Sequence, residues 1–221
     1  MTLDSTPRLD FLRDLTTEIL GFYSRGRTMV AIDGTDPVAR AAFADDLAAA
    51  FAETGHAVSR ASLADFERSA EEQAAFGPAS PERLFRHRDD FDLLRRALLV
   101  PFRLAGGTTG PADDTLIFDG DFLLRKELRD GWSFSVLTEY AADAATTGAF
   151  IDLAAELKPS GELGDAADTT TDPALGASPV PDDQALADRL YRAEVRPRSW
   201  ATAVVDLANP ADPRRLFFDS C

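Results

Sequence analysis

Runs of apolar residues alternate along the chain with segments in which apolar positions recur every three or four residues. The runs predict five strands, at 27–33, 56–62, 115–118, 132–138 and 201–207. The three-to-four spacing predicts amphipathic helices at 8–23, 38–54, 89–102, 140–157 and 184–195. This alternation is typical of an α/β three-layer sandwich with a mostly parallel, five-stranded sheet.

The first predicted strand leads through a short polar turn into a helix, in the sequence MVAIDGTDPVARAAF at 29–43. Backbone N–H groups at the start of such a helix can bind an anion, most often a nucleotide phosphate. The spacing is that of the P-loop, GxxxxGK followed by Ser or Thr, with its first glycine at Gly34. The candidate phosphate-binding residues are therefore Gly34, Thr35, Asp36, Val38, Ala39, Arg40, Ala41 and Ala42.

Four residues of this loop depart from the P-loop pattern. Ala39 adds a Cβ where the second glycine would let phosphate approach the backbone, and Pro37 removes one N–H donor. Arg40 keeps the charge of the consensus lysine but not its compact ammonium group. Ala41 has no hydroxyl group for magnesium. The loop is therefore predicted to bind phosphate weakly or not at all.

A second aspartate–glycine pair, Asp119–Gly120, ends the third predicted strand and repeats the pattern of Asp33–Gly34. In an open parallel sheet, both aspartates lie at carboxyl ends of strands, beside the ligand crevice. Asp119 is therefore either a turn residue at the end of a strand or a functional carboxylate.

The composition excludes several classes of function. The 221 residues carry a net charge of −15, which argues against nucleic-acid or anionic-membrane binding. No apolar run approaches the ~20 residues of a membrane span, and no signal-peptide pattern is present, so we expect a cytoplasmic protein. The one cysteine, Cys221, excludes an internal disulfide and a cysteine metal cluster.

The chain divides into a helical N-terminal appendage at 1–26 and one domain at 27–221. Residues 158–183 of this domain are rich in Pro, Gly, Ser, Thr and Asp and have no apolar periodicity. They contain one lysine against six acidic residues. This composition predicts a mobile acidic loop.

Two groups of basic residues have alternative interpretations. The Arg-His-Arg sequence at 86–88 either pairs on the surface with aspartates at 89, 90 and 92 or contacts substrate or phosphate. Four further arginines, which form either a solvated face or a partner contact, recur near the end of the chain: Arg189, Arg192, Arg196 and Arg198.

Five stretches, taken in order, resemble the uridine kinase-like branch of the P-loop nucleoside kinases. They are VAIDGTDPVARAAFADDLA (30–48), VSRASLADFERS (58–69), SPERLFRHRDDFDLLRRALLVPF (80–102), LIFDGDFLLRKEL (116–128) and RLYRAEVRPRSWATAVVDLANPADPRRL (189–216). The resemblance implies a strand order of 2-3-1-4-5, ATP and magnesium as cofactors, and a nucleoside substrate. It also implies that Asp119 has a catalytic role and handles magnesium.

The chain departs from this family at three further places. The expected catalytic base falls on Ala64, and the neighbouring Asp65 is either a substitute base or a solvated or helix-capping residue. The segment between Phe102 and Thr115 is too short for the family's substrate-binding insertion. Residues 130–188 contain only one cation, Lys158, where a lid that clamps a phosphoryl group needs several.

Three hypotheses follow from these observations. The first is a catalytically impaired uridine kinase-like protein that binds a nucleotide or nucleoside ligand, or a partner. The second is an active, divergent kinase of a nucleoside or small hydroxyl compound, which uses ATP, Arg40, Asp119 and a base such as Asp65. The third is a structural or dimerising module, for example a homodimer, with an empty crevice. The combined losses favour the first or the third hypothesis.

Overall fold

The computed structural model describes residues 5–105, 112–140 and 182–217, which form a six-stranded sheet in the order β2-β3-β1-β4-β5-β6. The strands are β1 Arg27–Asp33, β2 Ala57–Ser62, β3 Asp114–Gly120, β4 Phe134–Glu139, β5 Ala203–Asp206 and β6 Arg214–Leu216. The predicted order of the first five strands is confirmed, and these strands are parallel. The predicted strand count was wrong by one, because β6 is a three-residue antiparallel strand too short and polar to form an apolar run.

Helices cover both faces of the sheet. The part of the chain that the structure describes contains seven α-helices: α1 Pro7–Tyr23, α2 Pro37–Glu53, α3 Ala70–Ala74, α4 Pro81–His87, α5 Phe91–Leu94, α6 Val100–Leu104 and α7 Asp183–Val195. A π-helical turn, Arg95–Leu99, joins α5 to α6, and short 3-10 turns lie at Leu63–Phe66, Arg129–Gly131 and Pro197–Ser199. The predicted helix at 140–157 and the predicted acidic loop at 158–183 lie almost wholly outside the described residues.

The central strands are buried on both faces, which explains why they appear as continuous apolar runs in the sequence. Every residue of β3 and β4 is buried, and only the first residue of β1 is not. One core lies between the sheet and helices α1 and α2, and it includes Ile32, Phe43 and Phe51. The opposite core includes Phe118 and Leu94 and lies under α5 and the π-helical turn. The molecule thus has three layers, as predicted.

Helix α1 packs directly into the first of these cores. Its residues Leu12, Leu15 and Ile19 are buried together with side chains of α2. Thr6 caps the N-terminus of the helix by accepting a hydrogen bond from the N–H of Leu9. Within the described ranges, no helix is long and apolar enough to cross a lipid bilayer.

The parallel register brings several polar side chains to one edge of the sheet. Asp33 at the end of β1 lies opposite Gly120 of β3 and Leu137 of β4. Ser62 at the end of β2 lies opposite Asp119. Ligands of open α/β sheets bind at the carboxyl ends of the strands, so this edge positions the candidate site.

We predict that replacing Ile19 with alanine lowers the free energy of unfolding by about 2–5 kcal/mol, because the side chain is fully buried between α1 and the sheet. Urea unfolding followed by circular dichroism and tryptophan fluorescence would measure the change. Phe22→Ala is the matched control, since Phe22 is on the same helix but 73% exposed, and it should change stability by less than about 0.5 kcal/mol. A separate early transition for α1 would instead show that the helix is loosely attached.

Candidate active site

A cavity of about 240 Å³ opens at the carboxyl ends of the strands, beside the start of α2. Side chains from the candidate phosphate loop, the turn after β2, the turn before α5, the turn after β3 and helix α7 line it. They are Thr35, Pro37, Arg40, Leu63, Ala64, Glu67, Arg88, Asp89, Asp121 and Gln184. The cavity therefore lies where the sheet topology and the sequence together predicted a ligand crevice.

Close packing between the ends of β1 and β4 explains why residue 34 is a glycine. A Cβ atom at this position would lie 2.0 Å from Oγ1 of Thr138, far inside the van der Waals distance. The Thr138 hydroxyl donates a hydrogen bond of 2.9 Å to the backbone carbonyl of Asp33, which fixes it there. Glycine is therefore required for the approach of β4 to the turn after β1, whether or not phosphate binds.

Asp36 is the N-cap of α2, which begins at Pro37. Its carboxylate accepts hydrogen bonds of 2.9 Å from the backbone N–H groups of Val38 and Ala39. Its second oxygen accepts a 2.6 Å hydrogen bond from the hydroxyl group of Tyr140. The Tyr140 hydroxyl and the helical N–H groups together lower the pKa of Asp36 below its ordinary value, so the carboxylate is ionised at neutral pH.

Arg40 turns inward from the first turn of α2 and is buried. Its Nε donates to the Asp119 carboxylate at 3.3 Å, and its Nη1 donates to the backbone carbonyl of Gly34. The side chains of Val38 and Ala42 are exposed, and those of Ala39 and Ala41 are half-buried in the same helix. Arg40 is thus the one charged side chain among the predicted loop residues 38–42, and it is bonded within the protein.

Asp119 is buried beneath two guanidinium groups. Besides Arg40, the side chain of Arg60 donates to its other carboxylate oxygen at 3.0 Å. The Ser62 hydroxyl also donates to it, at 3.4 Å. In the described ranges, no group of three or more His, Cys, Asp or Glu side chains is placed to hold a metal ion. The magnesium role of Asp119 stays a prediction.

The turn after β2 places Ala64 and Asp65 differently. Ala64 lines the cavity, whereas Asp65 is exposed and is not among the lining residues. Ser62 caps the 3-10 turn by accepting from the N–H of Ala64 at 3.4 Å. Glu67 also lines the cavity and is exposed, and the Gln73 side chain donates to it at 3.2 Å. The catalytic role of Asp65 stays a prediction.

An ion-pair cluster lies in the cavity wall, and it combines the Arg88–Asp89 pair, one of the sequence-based alternatives, with a contact to Asp121 that the sequence did not indicate. The guanidinium of Arg88 donates to Asp121 at 2.9 Å and to Asp89 at 3.0 Å, and Gln184 donates to Asp121 at 3.1 Å. Burial raises the pKa of Asp89 to about 6, although Arg88 opposes this effect. Burial alone would raise the pKa of Asp121, but the hydrogen bonds and positive charge of Arg88 outweigh this effect, and the pKa of Asp121 is lowered.

Three other basic residues of the groups described in the sequence analysis, Arg86, Arg192 and Arg198, are paired within the protein. Arg86 bonds to Glu82 and to Glu194 of α7, at 3.0 and 2.7 Å, instead of the predicted aspartates. Arg192 in α7 and Arg198 in the 3-10 turn that follows it both contact the buried carboxylate of Glu139 at the end of β4.

Asp33 and Tyr191 connect the turn after β1 to helix α7. The Tyr191 hydroxyl donates to the Asp33 carboxylate, which also accepts from the N–H of Leu124 at 3.3 Å. Burial raises the pKa of Asp33 to about 7, although the Tyr191 hydrogen bond opposes it. Burial and the adjacent Asp33 charge likewise raise the pKa of Tyr191 well above its usual value.

The sheet order, the strand–turn–helix at 27–53 and the crevice at the strand ends are those of the P-loop kinase fold. The chain is similar to the solved structure of a possible uridine kinase from Bacillus stearothermophilus, with a TM-score of 0.60 and 18% identity over 89% of this chain and 96% of that one. A putative fructose transport system kinase from Silicibacter sp. TM1040 gives a TM-score of 0.49 and 19% identity over 66% and 86% of the two chains. No family model matches the sequence, and no curated protein matches it significantly. At 18% identity, the similarity to the first of these structures establishes the fold alone.

We predict that Gly34→Ala lowers the free energy of unfolding by about 1–3 kcal/mol, because its Cβ would collide with Thr138. Adding Thr138→Ala should recover part of the loss, and the double-mutant cycle should give a coupling energy of about 0.5–3 kcal/mol. Gly21→Ala is the matched control, since nothing lies within 4 Å of its Cβ, and alanine should stabilise α1. Additive effects of Gly34→Ala and Thr138→Ala would contradict this packing role.

We predict that Asp33 makes the protein less stable as the pH rises from about 4 to about 7. The folded state holds this proton more tightly than the unfolded chain, whose aspartates titrate near 3.8, so the stabilisation present at low pH is lost towards pH 7. One pKa unit corresponds to about 1.4 kcal/mol, so the loss is up to roughly 4 kcal/mol.

In urea titrations, Asp33→Asn should be more stable than the wild type at pH 8 and similar to it near pH 4. Asp65→Asn, at an exposed position, should keep the wild-type profile. A wild-type profile in Asp33→Asn would assign the pH dependence to other groups, with Asp89 the first to test.

Proposed function

We propose that this P-loop kinase-fold protein does not transfer phosphoryl groups and instead binds an uncharged, hydroxyl-bearing small molecule of the nucleoside type. The observation that carries the proposal is the cluster of Arg88, Asp89 and Asp121 in the wall of the 240 Å³ cavity. It gives the cavity fixed, charged hydrogen-bonding groups beside the residues of the candidate phosphate loop that also line it.

The residues at the phosphate loop do not fit magnesium-ATP. The only cation at the start of α2, Arg40, is bound to Asp119 and to the carbonyl of Gly34. The carboxylate of Asp119 is in turn neutralised by Arg40 and Arg60, so it has little charge left for a metal ion. Ala41 has no hydroxyl group. These features support loss of ATP-dependent chemistry.

The turn after β2 also lacks a placed base. Ala64 presents a methyl group to the cavity, where the family resemblance implies a carboxylate. Two of the carboxylates in the cavity, Asp89 and Asp121, are held by Arg88. A general base must reach the proton that it abstracts, and these two are already committed to an ion pair.

The charge of the cavity favours a neutral ligand. Its lining contains the carboxylates of Glu67, Asp89 and Asp121 against the guanidinium groups of Arg40 and Arg88. A polyphosphate would meet excess negative charge in a protein whose net charge is −15. Sugar hydroxyls, which both donate and accept, can bond to carboxylates and to the amide of Gln184.

Glu67 favours a second candidate function, an active and divergent kinase. It is an exposed carboxylate that lines the cavity three residues after Ala64, so it meets the positional requirement that Asp65 does not. In that case Glu67 would take the proton of the acceptor hydroxyl group. The third alternative, a structural or dimerising module, requires no small-molecule ligand in the cavity.

We expect isothermal titration calorimetry of the wild type to detect uridine or cytidine but not ATP, with or without magnesium. Asp121→Asn should weaken nucleoside binding by about ten-fold or more, because hydrogen bonds to charged groups contribute roughly 1.5–3 kcal/mol. Asp92→Asn, an exposed carboxylate outside the cavity, is the matched control. A coupled assay of ADP release with the same nucleosides should show no turnover.

Other outcomes of this experiment select between the alternatives. Turnover that disappears in Glu67→Gln or Asp65→Asn would establish the kinase and identify its base. Absence of binding for a panel of nucleosides and sugars, together with dimerisation in sedimentation experiments, would favour the structural module. Melting temperatures of all variants would show that loss of binding is not loss of folding.

A further inference from the structure

The backbone N–H groups in the first turn of α2, from Pro37 to Arg40, are already used within the protein. N–H groups at the start of a helix lack partners inside it and are the groups that bind phosphate in a P-loop. Here Pro37 has no N–H, Val38 and Ala39 donate to the Asp36 carboxylate, and the N–H of Arg40 makes the first hydrogen bond of the helix, to the Asp36 carbonyl at 3.0 Å. No N–H of this first turn remains for an external anion.

Two further contacts hold this arrangement in place. Tyr140, directly after β4, donates its hydroxyl proton to the second oxygen of Asp36 at 2.6 Å. The guanidinium of Arg40 bonds back to the carbonyl of Gly34 and so closes the loop from the opposite side. The carboxylate is thus held by three donors, as a bound anion would be.

We propose that Asp36 is a built-in anion, which occupies the phosphate-binding N–H groups of α2 and holds the loop closed to external phosphate. The inference rests on the proposed absence of phosphoryl transfer and gives it a physical cause. Asp36 is an autoinhibitory contact in this sense, because an external phosphate can enter only if the carboxylate leaves. The wild type accordingly binds no phosphate at this position.

The contact also gives a reason why the loop has Ala39 and Ala41 in place of the consensus glycine and hydroxyl-bearing residue. Once the N–H groups are satisfied internally, close approach of phosphate at Ala39 and a hydroxyl group at Ala41 have no function. An intramolecular carboxylate is present at high effective concentration, so an external anion of similar strength competes poorly with it. Removing Asp36 should therefore reveal an anion site that the wild-type protein conceals.

The test compares two variants at one position. Asp36→Gly vacates the N–H groups, and glycine at an N-cap costs a helix only a few tenths of a kcal/mol relative to aspartate. Asp36→Asn removes the charge but keeps a side-chain oxygen that can accept from Val38 and Ala39. Calorimetry with inorganic pyrophosphate, without magnesium, measures anion affinity in both variants and in the wild type.

We expect Asp36→Gly to bind pyrophosphate at least about ten-fold more tightly than the wild type, because the N–H groups of Val38 and Ala39 can then form two charge-assisted hydrogen bonds to the anion. Asp36→Asn should gain less than about three-fold, because its donors stay occupied. Equal gains in both variants would assign the effect to charge alone and overturn the proposal. No gain in a folded Asp36→Gly protein would also overturn it.

A measurement on the wild type keeps the proposal testable if Asp36→Gly does not fold. In spectra of ¹⁵N-labelled protein, millimolar pyrophosphate should leave the amide resonances of Val38 and Ala39 unchanged. Saturable shifts of these two amides would show that phosphate displaces Asp36 and would overturn the proposal. Nucleoside binding by the wild type is independent of both results, so failure of this inference is distinguishable from failure of the proposed function.

Discussion

The buried network of Arg40, Asp119 and Arg60 is the interaction on which the rest of the crevice depends. It joins the start of α2, the end of β3 and the middle of β2 through one carboxylate and two guanidinium groups. Removing one partner of a buried ion pair typically costs about 3–5 kcal/mol, because an uncompensated charge is left behind. The same network holds Arg40, the one cation of the candidate phosphate loop, within the protein, so the proposed loss of phosphoryl transfer shares a physical cause with the stability of the crevice.

Pairing of buried carboxylates with side chains of other elements recurs at the carboxyl ends of the parallel strands. Strands β1, β3 and β4 each present a buried carboxylate there, and the protein supplies a partner from another element. Asp33 at the end of β1 accepts from Tyr191, and Glu139 at the end of β4 contacts Arg192 and Arg198. Buried carboxyl groups need hydrogen-bond or ion-pair partners, and α7 supplies such partners in Tyr191 and Arg192, so it is held against the sheet by polar contacts as well as by its apolar face.

Apolar runs identified the five parallel strands, because burial on both faces leaves a strong apolar signal, whereas the order of these strands came from the family resemblance. The cavity wall was not predictable in the same way. Arg88 and Asp121 are 33 residues apart, and no periodicity relates them, so their ion pair emerges only from the fold. Gly34 matched a phosphate motif in sequence, yet its contact with Thr138 is sufficient to require glycine. A residue can thus match a ligand-binding motif and yet be required for packing.

The three-residue strand β6 has a consequence for solubility. It pairs antiparallel with β5 and satisfies backbone groups that would otherwise form an open edge of the sheet. Unpaired edges recruit strands from other molecules, and short, charged edge strands discourage this. Two of the three residues of β6 are arginines, and Arg215 is also bound to Glu18 of α1. Strand β6 therefore protects the sheet against edge-to-edge aggregation, and this protection is linked to the docking of the first helix.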